Sequence, residues 1–404
     1  MTLTLAWRNI WRNKRRTLIT AAMIFMAVVL AVIMQSVQSG VYDRNIHNLV
    51  SLSSGYVQVA QAGHNEDKTL ETSMEITPEL SKKITSVEGV KGFVPRIQNV
   101  GLVASIGSSK ECFIIGMDPD KEKEISKLDQ RLTSGDYLTN DDQGVILGEG
   151  LAKRIEAKIG DSIVILSIGF HEQSANALLP VRGIASLSSP DLDKRMIYMT
   201  IPAAQYLFVL GNRVSDVSIE LENHRDFEEV AAALKIILGD EYEALTWKEL
   251  FPELAQLVEG DNASNFFILA VLYLIIAFGV FGTVLMMLAE RKKEFGMVTA
   301  IGMPRKKLAL IVFLENITIS FLGAIGGMMG ATPLVYWLKK YPVSLAGDMK
   351  EAYLKLGFEP VITADFYASA FLGNAALVFF IACLLSVYPF YKILFMKPIE
   401  SLRS

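Results

Sequence analysis

The sequence predicts a multi-pass α-helical membrane protein with four transmembrane helices and a large α+β domain outside the membrane. The chain of 404 residues is 51% hydrophobic and 20% charged, which is too apolar for a purely soluble protein and too charged for a purely membrane one. Four stretches are apolar and long enough to cross a bilayer, which takes about 20 helical residues. Between the first two lies a polar region long enough to form its own core.

Charge is segregated along the chain, and this segregation predicts the orientation in the membrane. The net charge is −4, but residues 41–265 contain 21 Lys and Arg against 35 Asp and Glu, while the rest contains 18 against 8. The excess of positive residues lies in residues 1–16, 290–307 and 392–404, which the positive-inside rule places in the cytosol. The acidic region is therefore predicted to lie outside, and its charge argues against nucleic-acid binding.

The amino-terminal residues 1–16 are predicted to form an amphipathic helix along the inner membrane surface. Apolar residues fall on one side of this helix and arginines surround the other. Tryptophan and arginine together favour the headgroup layer, where the ring is half-wet and the guanidinium meets phosphate. The apolar side is formed by Leu3, Trp7, Ile10 and Trp11.

Residues 17–40 carry no charge and form the first predicted span. A cleavable signal peptide is the alternative, because the preceding flank is basic and Ser39 is small. The apolar run is longer than a typical signal core, which favours an uncleaved anchor.

Residues 41–262 are predicted to form the extracytoplasmic α+β domain. A strand–helix–strand order appears near its start and again near its end, which predicts one sheet built from both halves with the middle inserted. The middle holds short strand candidates separated by Gly, Asp and Pro and is predicted to be mostly β. The outer candidates are Gly55–Ala60, Pro78–Val87, Val90–Pro95, Val214–Leu221, Arg225–Leu238 and Glu241–Thr246; those of the middle are Cys112–Met117, Gly144–Leu147, Ser162–Ile168, Val181–Ile184 and Met196–Met199.

Three further spans are predicted in the second half of the chain, at residues 265–289, 308–338 and 366–391. Each is an apolar run long enough for a membrane helix. Residues 339–365 form a predicted extracytoplasmic loop between the last two spans, and residues 392–404 form a cytosolic tail.

The basic segment between the second and third spans, residues 290–307, is the candidate functional site. A short helix is predicted here with three apolar residues on one side, and Gly302 is predicted to end it. A charged amphipathic helix between two spans suits contact with a soluble partner in the cytosol. The alternative is that its lysines only follow the positive-inside rule. The polar residues are Arg291, Lys292, Lys293 and Glu294, and the apolar ones are Phe295, Val298 and Ile301.

The third predicted span combines small residues with one charge. Its glycines have the small-xxx-small spacing that lets another helix approach closely, and packing within one subunit is favoured over packing between subunits. Glu315 is costly in an apolar run unless it is paired, hydrated or near the interface, so a structural and a transport role both stay open. The glycines are Gly323, Gly326, Gly327 and Gly330.

No catalytic, nucleotide-binding or metal-binding motif is recognised, so the chain is predicted to be no enzyme and to hold no cofactor or metal. Gly148, Glu149 and Gly150 resemble part of a phosphate loop, but a turn that begins a helix is the favoured interpretation. The four histidines lack metal-ligand spacing. Cys112 and Cys383 lie in different regions, which argues against a disulfide framework.

Several motifs together resemble the FtsX-like permease family, the membrane subunits of ABC transporters that include FtsX, MacB and LolC/LolE. Residues 290–297 and 300–303, followed by a span with Glu315 and the four glycines, are similar to the family signature. Residues 115–119 begin a stretch that looks like the outer domain shared by MacB and LolC/LolE. Residues 397–403 resemble the closing motif of the family.

This resemblance implies mechanical coupling without chemistry in this chain. A separate pair of ATPase subunits, which holds ATP and Mg, would push residues 291–301, and the spans would relay the movement to an outer domain with a porter-like α/β part and an inserted β-rich part. A second permease chain, identical or different, is expected beside it among the lipids of the inner membrane.

The layout is most similar to LolC/LolE, which implies release of a lipidated cargo towards a periplasmic lipoprotein carrier. MacB-like export of peptides or drugs and FtsX-like signalling to a cell-wall hydrolase are the alternatives. An adhesion or receptor domain on a membrane anchor is a further one, and it would leave residues 291–301 without a purpose.

Overall fold

The computed structural model describes residues 2–12, 14–105, 108–355 and 358–396. The chain divides into two compact units, which we call the membrane unit and the α/β domain. The membrane unit comprises Met1–Tyr42, Val258–Ser344 and Val361–Ser404, and the α/β domain comprises Asp43–Leu257 and Leu345–Pro360.

Long helices dominate the membrane unit, and short helices and strands dominate the α/β domain. The helices are α1 (Thr2–Arg12), α2 (Lys14–Leu52), α3 (Pro78–Thr85), α4 (Pro119–Ile125), α5 (Glu149–Arg154), α6 (Pro190–Asp193), α7 (Ile201–Phe208), α8 (Phe227–Leu238), α9 (Trp247–Leu250), α10 (Pro252–Glu290), α11 (Lys292–Ala300), α12 (Arg305–Lys340), α13 (Asp348–Lys355), α14 (Ala368–Leu385) and α15 (Val387–Leu394). The strands are β1 (Val57–Gln61), β2 (Met74–Glu75), β3 (Val90–Ser105), β4 (Ser108–Met117), β5 (Leu132–Gly135), β6 (Val145–Gly148), β7 (Ser162–Ile168), β8 (Ser174–Ala185), β9 (Met196–Thr200), β10 (Arg213–Val214), β11 (Asp216–Leu221), β12 (Tyr242–Thr246), β13 (Val343–Ser344) and β14 (Val361–Ile362).

Four helices in the described part of the chain are long and apolar enough to cross a membrane, which confirms the predicted multi-pass fold class. The first and second continue past the predicted spans, 17–40 and 265–289, because helical hydrogen bonding does not stop where the apolar run stops. A bend at Ser386 divides the fourth into α14 and α15. The four are Thr17–Leu52, Pro252–Glu290, Arg305–Lys340 and Ala368–Leu394.

The amino-terminal helix packs against α12. Ile10 is buried, whereas Trp7 and Trp11 are exposed and meet edge to face, with ring centroids 6.2 Å apart. Of Trp7, Ile10 and Trp11 on the predicted apolar side, Ile10 therefore turns into the protein and the two tryptophans do not. The exposed indoles suit the headgroup layer for which they were predicted. Residues 397–404, which hold the predicted closing motif, lie outside the described residues.

The α/β domain is built on one mixed sheet, which has ten strands within the described residues and the order β12–β1–β11–β3–β4–β9–β6–β8–β5, with β7 paired to β3 and β8. Strands from both ends of the domain alternate in its first half, since β11 lies antiparallel between β1 and β3. This is the split arrangement expected from two βαβ-like units. Between them, β4 to β9 form the inserted β-rich part, as predicted.

The short helix α7 was not predicted, although its sequence contains a start signal. The Thr200 side chain accepts a hydrogen bond from the backbone N–H of Ala203, and Pro202 occupies the first turn. Threonine before a proline at a helix start satisfies an otherwise unpaired N–H. The helix then packs against β4, where a Cβ on Gly116 would lie 2.6 Å from that of Ala204.

The predicted loop 339–365 is only partly a loop of the membrane unit, because residues 345–360 belong to the α/β domain. Glu359 connects this segment to α2. Its carboxylate accepts hydrogen bonds from Nε of Arg44 at 2.7 Å and from Nη2 at 3.0 Å, and from Nδ2 of Asn48 at 2.8 Å. The backbone N–H of Glu359 donates to Asn45 at 2.9 Å.

A buried arginine holds the last turn of α2 within the same domain. Nη2 of Arg96 donates to the carbonyl of Ser51 at 2.9 Å and to Glu122 at 2.8 Å, and Nη1 donates to the carbonyl of Ser53. Arg96 and Glu122 are both buried. A cation at the carbonyl end of a helix satisfies groups that have no partner within the helix and complements the helix dipole.

Replacing Glu359 by Ala should release residues 345–360 from α2. Hydrogen bonds to charged groups are worth about 1.5–3 kcal/mol each, so trypsin should cleave after Lys350 at least about tenfold faster, because 1.4 kcal/mol is a factor of ten. Mass spectrometry of timed digests measures the rate. The exposed carboxylate of Glu229 in α8, far in the sequence from the cleaved bond, offers the matched control, Glu229→Ala. Equal rates in the two variants would contradict the proposed anchor.

Candidate coupling site

The segment between α10 and α12 folds as a short helix between two turns. Arg291 precedes α11 and leaves helical geometry, with φ −95° and ψ 5°. Gly302 follows α11 with φ +108°, a conformation that a residue with a side chain rarely adopts. Pro304 then stands just before α12. The predicted end of the helix at Gly302 is confirmed.

Phe295 anchors α11 to three other helices. Its ring is 2% exposed and packs in one cluster with Met287 of α10, Leu308 and Val312 of α12, and Ile393 of α15. Truncating a buried phenylalanine to alanine typically costs about 3–5 kcal/mol. A displacement of α11 therefore acts on three of the spanning helices.

Arg291 forms a buried ion pair with Glu315 of α12. Nη1 of Arg291 lies 2.9 Å from Oε2 of Glu315, and both side chains are almost fully buried. Nε of Arg291 also donates to Glu294 at 3.2 Å, and the guanidinium lies 5.1 Å from the ring centroid of Phe295. The charge of Glu315 is thus tied to the candidate site, which supports a structural role for this residue.

The solvent-facing side of α11 carries both charge and apolar surface. Lys292, Lys293 and Glu294 are exposed, as are Met297 and Ile301, which are 55% and 85% exposed. Met297 and Ile301 are four residues apart and follow one another along the same side of the turn. Together they form an exposed apolar pair within a basic surface.

The predicted grouping of Ile301 with Phe295 and Val298 is wrong. Val298 packs beside the Phe295 cluster, but Ile301 follows the last helical residue, Ala300, and faces solvent. Six residues along a helix turn the side chain by about 600°, or roughly 240° from the start, at 3.6 residues per turn. The apolar spacing that fits one face is three, four or seven residues, not six.

The amino-terminal helix also reaches the site. Nη2 of Arg12 lies 3.0 Å from Oε2 of Glu294, and both side chains are about half exposed. An exposed pair of this kind contributes about 0–1 kcal/mol. The contact places α1 beside α11 without holding it there.

The four glycines of α12 lie against α2 within the same chain, in agreement with the favoured packing inside one subunit. A Cβ on Gly323 would lie 2.9 Å from Cβ of Ile24, and one on Gly327 would lie 2.7 Å from Cβ of Val28. A Cβ on Gly330 would lie 2.6 Å from the ring of Phe25, and one on Gly326 would lie 3.4 Å from the same ring. Any larger residue at 323 or 327 would push the two helices apart.

A polar contact between spanning helices was missed from the sequence. Nδ2 of Asn374 in α14 donates to Oε1 of Gln35 in α2 at 2.6 Å, and its Oδ1 accepts a hydrogen bond from the hydroxyl of Tyr273 in α10. Amides that bridge helices in this way are worth about 0.6–2 kcal/mol in a membrane. The signal was available, because each residue is a polar side chain in an apolar run.

The structure gives structural roles to the other two suggestive features, the segment 148–150 and Cys112. Oδ1 and Oδ2 of Asp193 accept the backbone N–H groups of Glu149 and Gly150, at 3.2 and 2.8 Å. These donors begin α5 and are therefore not available to a phosphate, so the predicted helix start is confirmed. Burial raises the pKa of the Cys112 thiol to about 12, which disfavours the reactive thiolate. Within the described residues, no group of three His, Cys, Asp or Glu side chains could hold a metal ion.

The fold and the site define a polytopic membrane protein of the permease class, with an α/β domain between its first and second spans and an anchored, partly exposed helix between its second and third. The model of the MacB-like periplasmic core domain matches residues 17–237, and that of the FtsX-like permease C-terminal domain matches residues 266–398. The chain belongs to the permease family that these two domains define, and it is an ABC transporter permease of the MacB, FtsX and LolC type.

Three relatives illustrate the range of the family. An uncharacterized ABC transporter permease of Methanocaldococcus jannaschii is 24% identical over 99% of this chain and 97% of its own length. The lipoprotein-releasing system transmembrane protein LolC of Neisseria meningitidis is 20% identical over 60% of each chain. The macrolide export ATP-binding/permease protein MacB of Bdellovibrio bacteriovorus is 22% identical over 88% of this chain and 53% of its own length.

Replacing Arg291 by Ala should destabilise the protein far more than replacing the exposed Lys293 by Ala. The first change leaves Glu315 buried without its arginine, which typically costs about 3–5 kcal/mol. The double variant Arg291→Met with Glu315→Leu should recover most of the loss, because it removes both charges. Thermal melting in detergent, followed by tryptophan fluorescence, measures the three variants. Equal melting of the Arg291 and Lys293 variants would contradict a buried pair.

Proposed function

We propose that this chain transmits movement from a separate ATPase to its α/β domain, which lies outside the cytosol, and that it does so in the inner membrane beside a second permease chain. ATP and Mg belong to the ATPase pair in this proposal, and this chain performs no chemistry. The observation that carries the proposal is the two-sided construction of α11. One side is fixed to three spanning helices, and the other offers an apolar pair to a partner.

The exposed side suits a groove on a soluble protein. Met297 and Ile301 supply apolar contact at the spacing that helices use in grooves. Lys292 and Lys293 flank them and favour a partner surface with an acidic rim. This face lies in the segment that the charge distribution predicts to be cytosolic, where an ATPase would bind.

The buried side of α11 converts contact with the ATPase into movement of the spanning helices. Phe295 packs against α10, α12 and α15, and Arg291 is paired to α12. A partner that binds two arrangements of these helices with different affinity shifts the balance between them, and it can shift the balance only by that difference. ATP binding and hydrolysis in the partner would supply two states with different affinities.

For the cargo, we propose a lipidated protein that is passed to a periplasmic lipoprotein carrier. Support comes from the LolC relative, named for lipoprotein release, and from an apolar strip on the sheet of the α/β domain, on which Leu102, Leu166 and Leu178 are exposed. Export of a peptide or drug is the second candidate, favoured by the MacB relative that aligns with 88% of this chain.

Replacing both Met297 and Ile301 by Asp should abolish association with the ATPase while the protein stays folded. Two exposed carboxylates in an apolar groove remove the contact and add uncompensated charge. The tagged chain is purified from native membranes, and mass spectrometry quantifies the ABC ATPase that accompanies it. Recovery should fall by at least about tenfold, or 1.4 kcal/mol.

The control for this pair is Phe395→Asp, which changes another exposed apolar residue outside α11. It should leave ATPase recovery unchanged. Phe295→Asp is unsuitable, because its side chain is buried and the fold would be lost. Normal ATPase recovery with both aspartates in α11 would refute the proposed contact.

The cargo proposal predicts ATP-dependent release of a lipidated protein. The chain is co-purified with its ATPase, reconstituted in liposomes with a triacylated lipoprotein, and supplied with the carrier. Lipoprotein should leave the liposomes only when ATP is present, and not with the Met297 and Ile301 variant. Transport of a peptide or drug without lipoprotein release would favour the second candidate. Co-purification with a cell-wall hydrolase and no transported cargo would instead indicate a signal relay.

A further inference from the structure

The two faces of the sheet in the α/β domain are covered differently. Val59 and Val217, which are paired across β1 and β11, point into the main core. Helices α3, α5, α7 and α8 cover this face and add side chains to the same core. Side chains alternate along a strand, so Gln58 and Ala60 lie on the opposite face. Part of that face borders a cavity.

The cavity has a volume of about 300 Å³, at the lower end of the range typical of small-molecule sites, about 300–1,000 Å³. It lies where the two parts of the domain meet, since β1 and β12 line one side and β4 and β9 another. Large apolar side chains dominate its wall, and most of them are only half buried although they lie inside the domain. They are Phe113, Ile115, Met196, Leu245, Leu250 and Phe251.

One part of the cavity wall is polar and ends at a cation. His64, Asn65 and Lys68 line it. Nδ1 of His64 is 2.5 Å from Oγ1 of Thr72, and the nearby Glu243 accepts the backbone N–H of Asn65 at 2.7 Å. Lys68 is exposed and forms no ion pair within the described residues, so its three N–H donors are available to a ligand.

An apolar strip continues from the cavity along the same face of the sheet. Val100 and Phe113 are cross-strand partners and both line the cavity. Leu102 follows Val100 on this face and pairs with Leu166 of β7. Val164 and Leu178 form the next cross-strand pair. The side chains of the strip are between 37% and 66% exposed; they are Leu102, Leu166, Val164 and Leu178.

A contiguous exposed apolar surface marks a binding site in a soluble domain. Here the strip leads to a cavity whose exposed lining is mostly apolar, although Gln58, Gln98 and Asn99 also line it, and whose polar edge holds Lys68 and Glu243. A polypeptide in the cavity would carry one N–H and one C=O per residue past a largely apolar lining, in which the side chains of Gln98 and Asn99 already donate to other groups of the domain. An aliphatic chain has no such groups and gains free energy in proportion to the apolar area buried.

We propose that this cavity binds the aliphatic chain of an amphiphile, with the head group of the ligand held by Lys68. The acceptor oxygens of an ester, carboxylate or phosphate suit the ammonium group and the amide of Asn65. Both a membrane lysolipid and an acylated protein carry this chemistry. The proposal does not depend on coupling to an ATPase, because binding requires neither nucleotide nor partner.

Photolabelling of the full chain in nanodiscs tests this proposal. Two probes carry the same diazirine-bearing palmitoyl chain, one on lysophosphatidylglycerol and one on a cysteine peptide. After irradiation, mass spectrometry should find labelled peptides that contain Phe113, Met196 or Phe251. Labelling by either probe supports the site, and the probe that labels more strongly identifies the source of the chain.

Variants separate the cavity from its surroundings. Leu245→Trp fills the cavity and should reduce this labelling by about tenfold, which is about 1.4 kcal/mol. Ile236→Trp adds the same indole to an exposed position of α8, away from both the cavity wall and the strip, and should leave it unchanged. Lys68→Ala should weaken labelling by either probe, since it removes the cation at the head group. Labelling of the spanning helices, measured in the same digests, verifies that each variant is folded and inserted.

If Leu245→Trp fails to fold, Val100→Trp provides a second way to fill the cavity from an exposed position. The proposal is overturned if neither probe labels the cavity peptides, or if labelling persists at full strength in the folded filling variants. Crosslinks that place a polypeptide segment of a second copy or of another protein in the cavity would overturn it as well.

Discussion

The ion pair between Arg291 and Glu315 ties the start of α11 to α12, and the position of α11 within the membrane unit depends on it. A charge in an apolar environment is tolerated only with a partner, and separating a buried pair costs several kcal/mol. The exposed pair between Arg12 and Glu294 contributes about 0–1 kcal/mol. The buried pair therefore decides where α11 sits. Because Phe295 stacks beneath the same guanidinium, the charge and the apolar anchor act as one unit.

The spanning helices face a different constraint, because lipid tails are as apolar as the side chains that pack between helices. Burial alone then gives little preference for helix over lipid. Close backbone approach at Gly323 and Gly327 and the amide contact between Asn374 and Gln35 supply that preference. Both contacts involve α2. This helix is accordingly the one against which α12 and α14 are positioned.

Sequence patterns predicted those features that depend on local composition. The four spans followed from the length of their apolar runs, and the end of α11 followed from Gly302, whose positive φ only glycine adopts readily. The strands of the inserted part followed from alternation and turn residues. In each case the signal and the structure lie within a few residues of each other.

Features that depend on distant residues escaped prediction. Glu359 meets Arg44 across most of the chain, and no local pattern links the two. Alternation shows that a strand has two faces but not which face helices will cover, so the cavity beside Phe113 could not be foreseen. The prediction for Ile301 is wrong for a simpler reason, because residues six apart do not share one face of a helix.

The helix α2 shows how the protein separates fixed contacts from exchangeable ones. Its first part packs against the glycines of α12, and its last turn is held by the buried guanidinium of Arg96, which is paired with Glu122. Both contacts are buried, and breaking either would cost far more than a surface interaction.

A continuous helix can transmit a displacement only if the contacts at both of its ends stay intact while it moves. The buried packing and the paired buried charge at the two ends of α2 meet that condition. The surfaces that remain exposed and apolar differ from these contacts, because no other part of the described chain buries them. Met297 and Ile301 on α11 and the cavity strip on the sheet have no permanent cover within the described chain. In the mechanism proposed above, they are the surfaces at which partners would bind and leave without disturbing the buried contacts of α2.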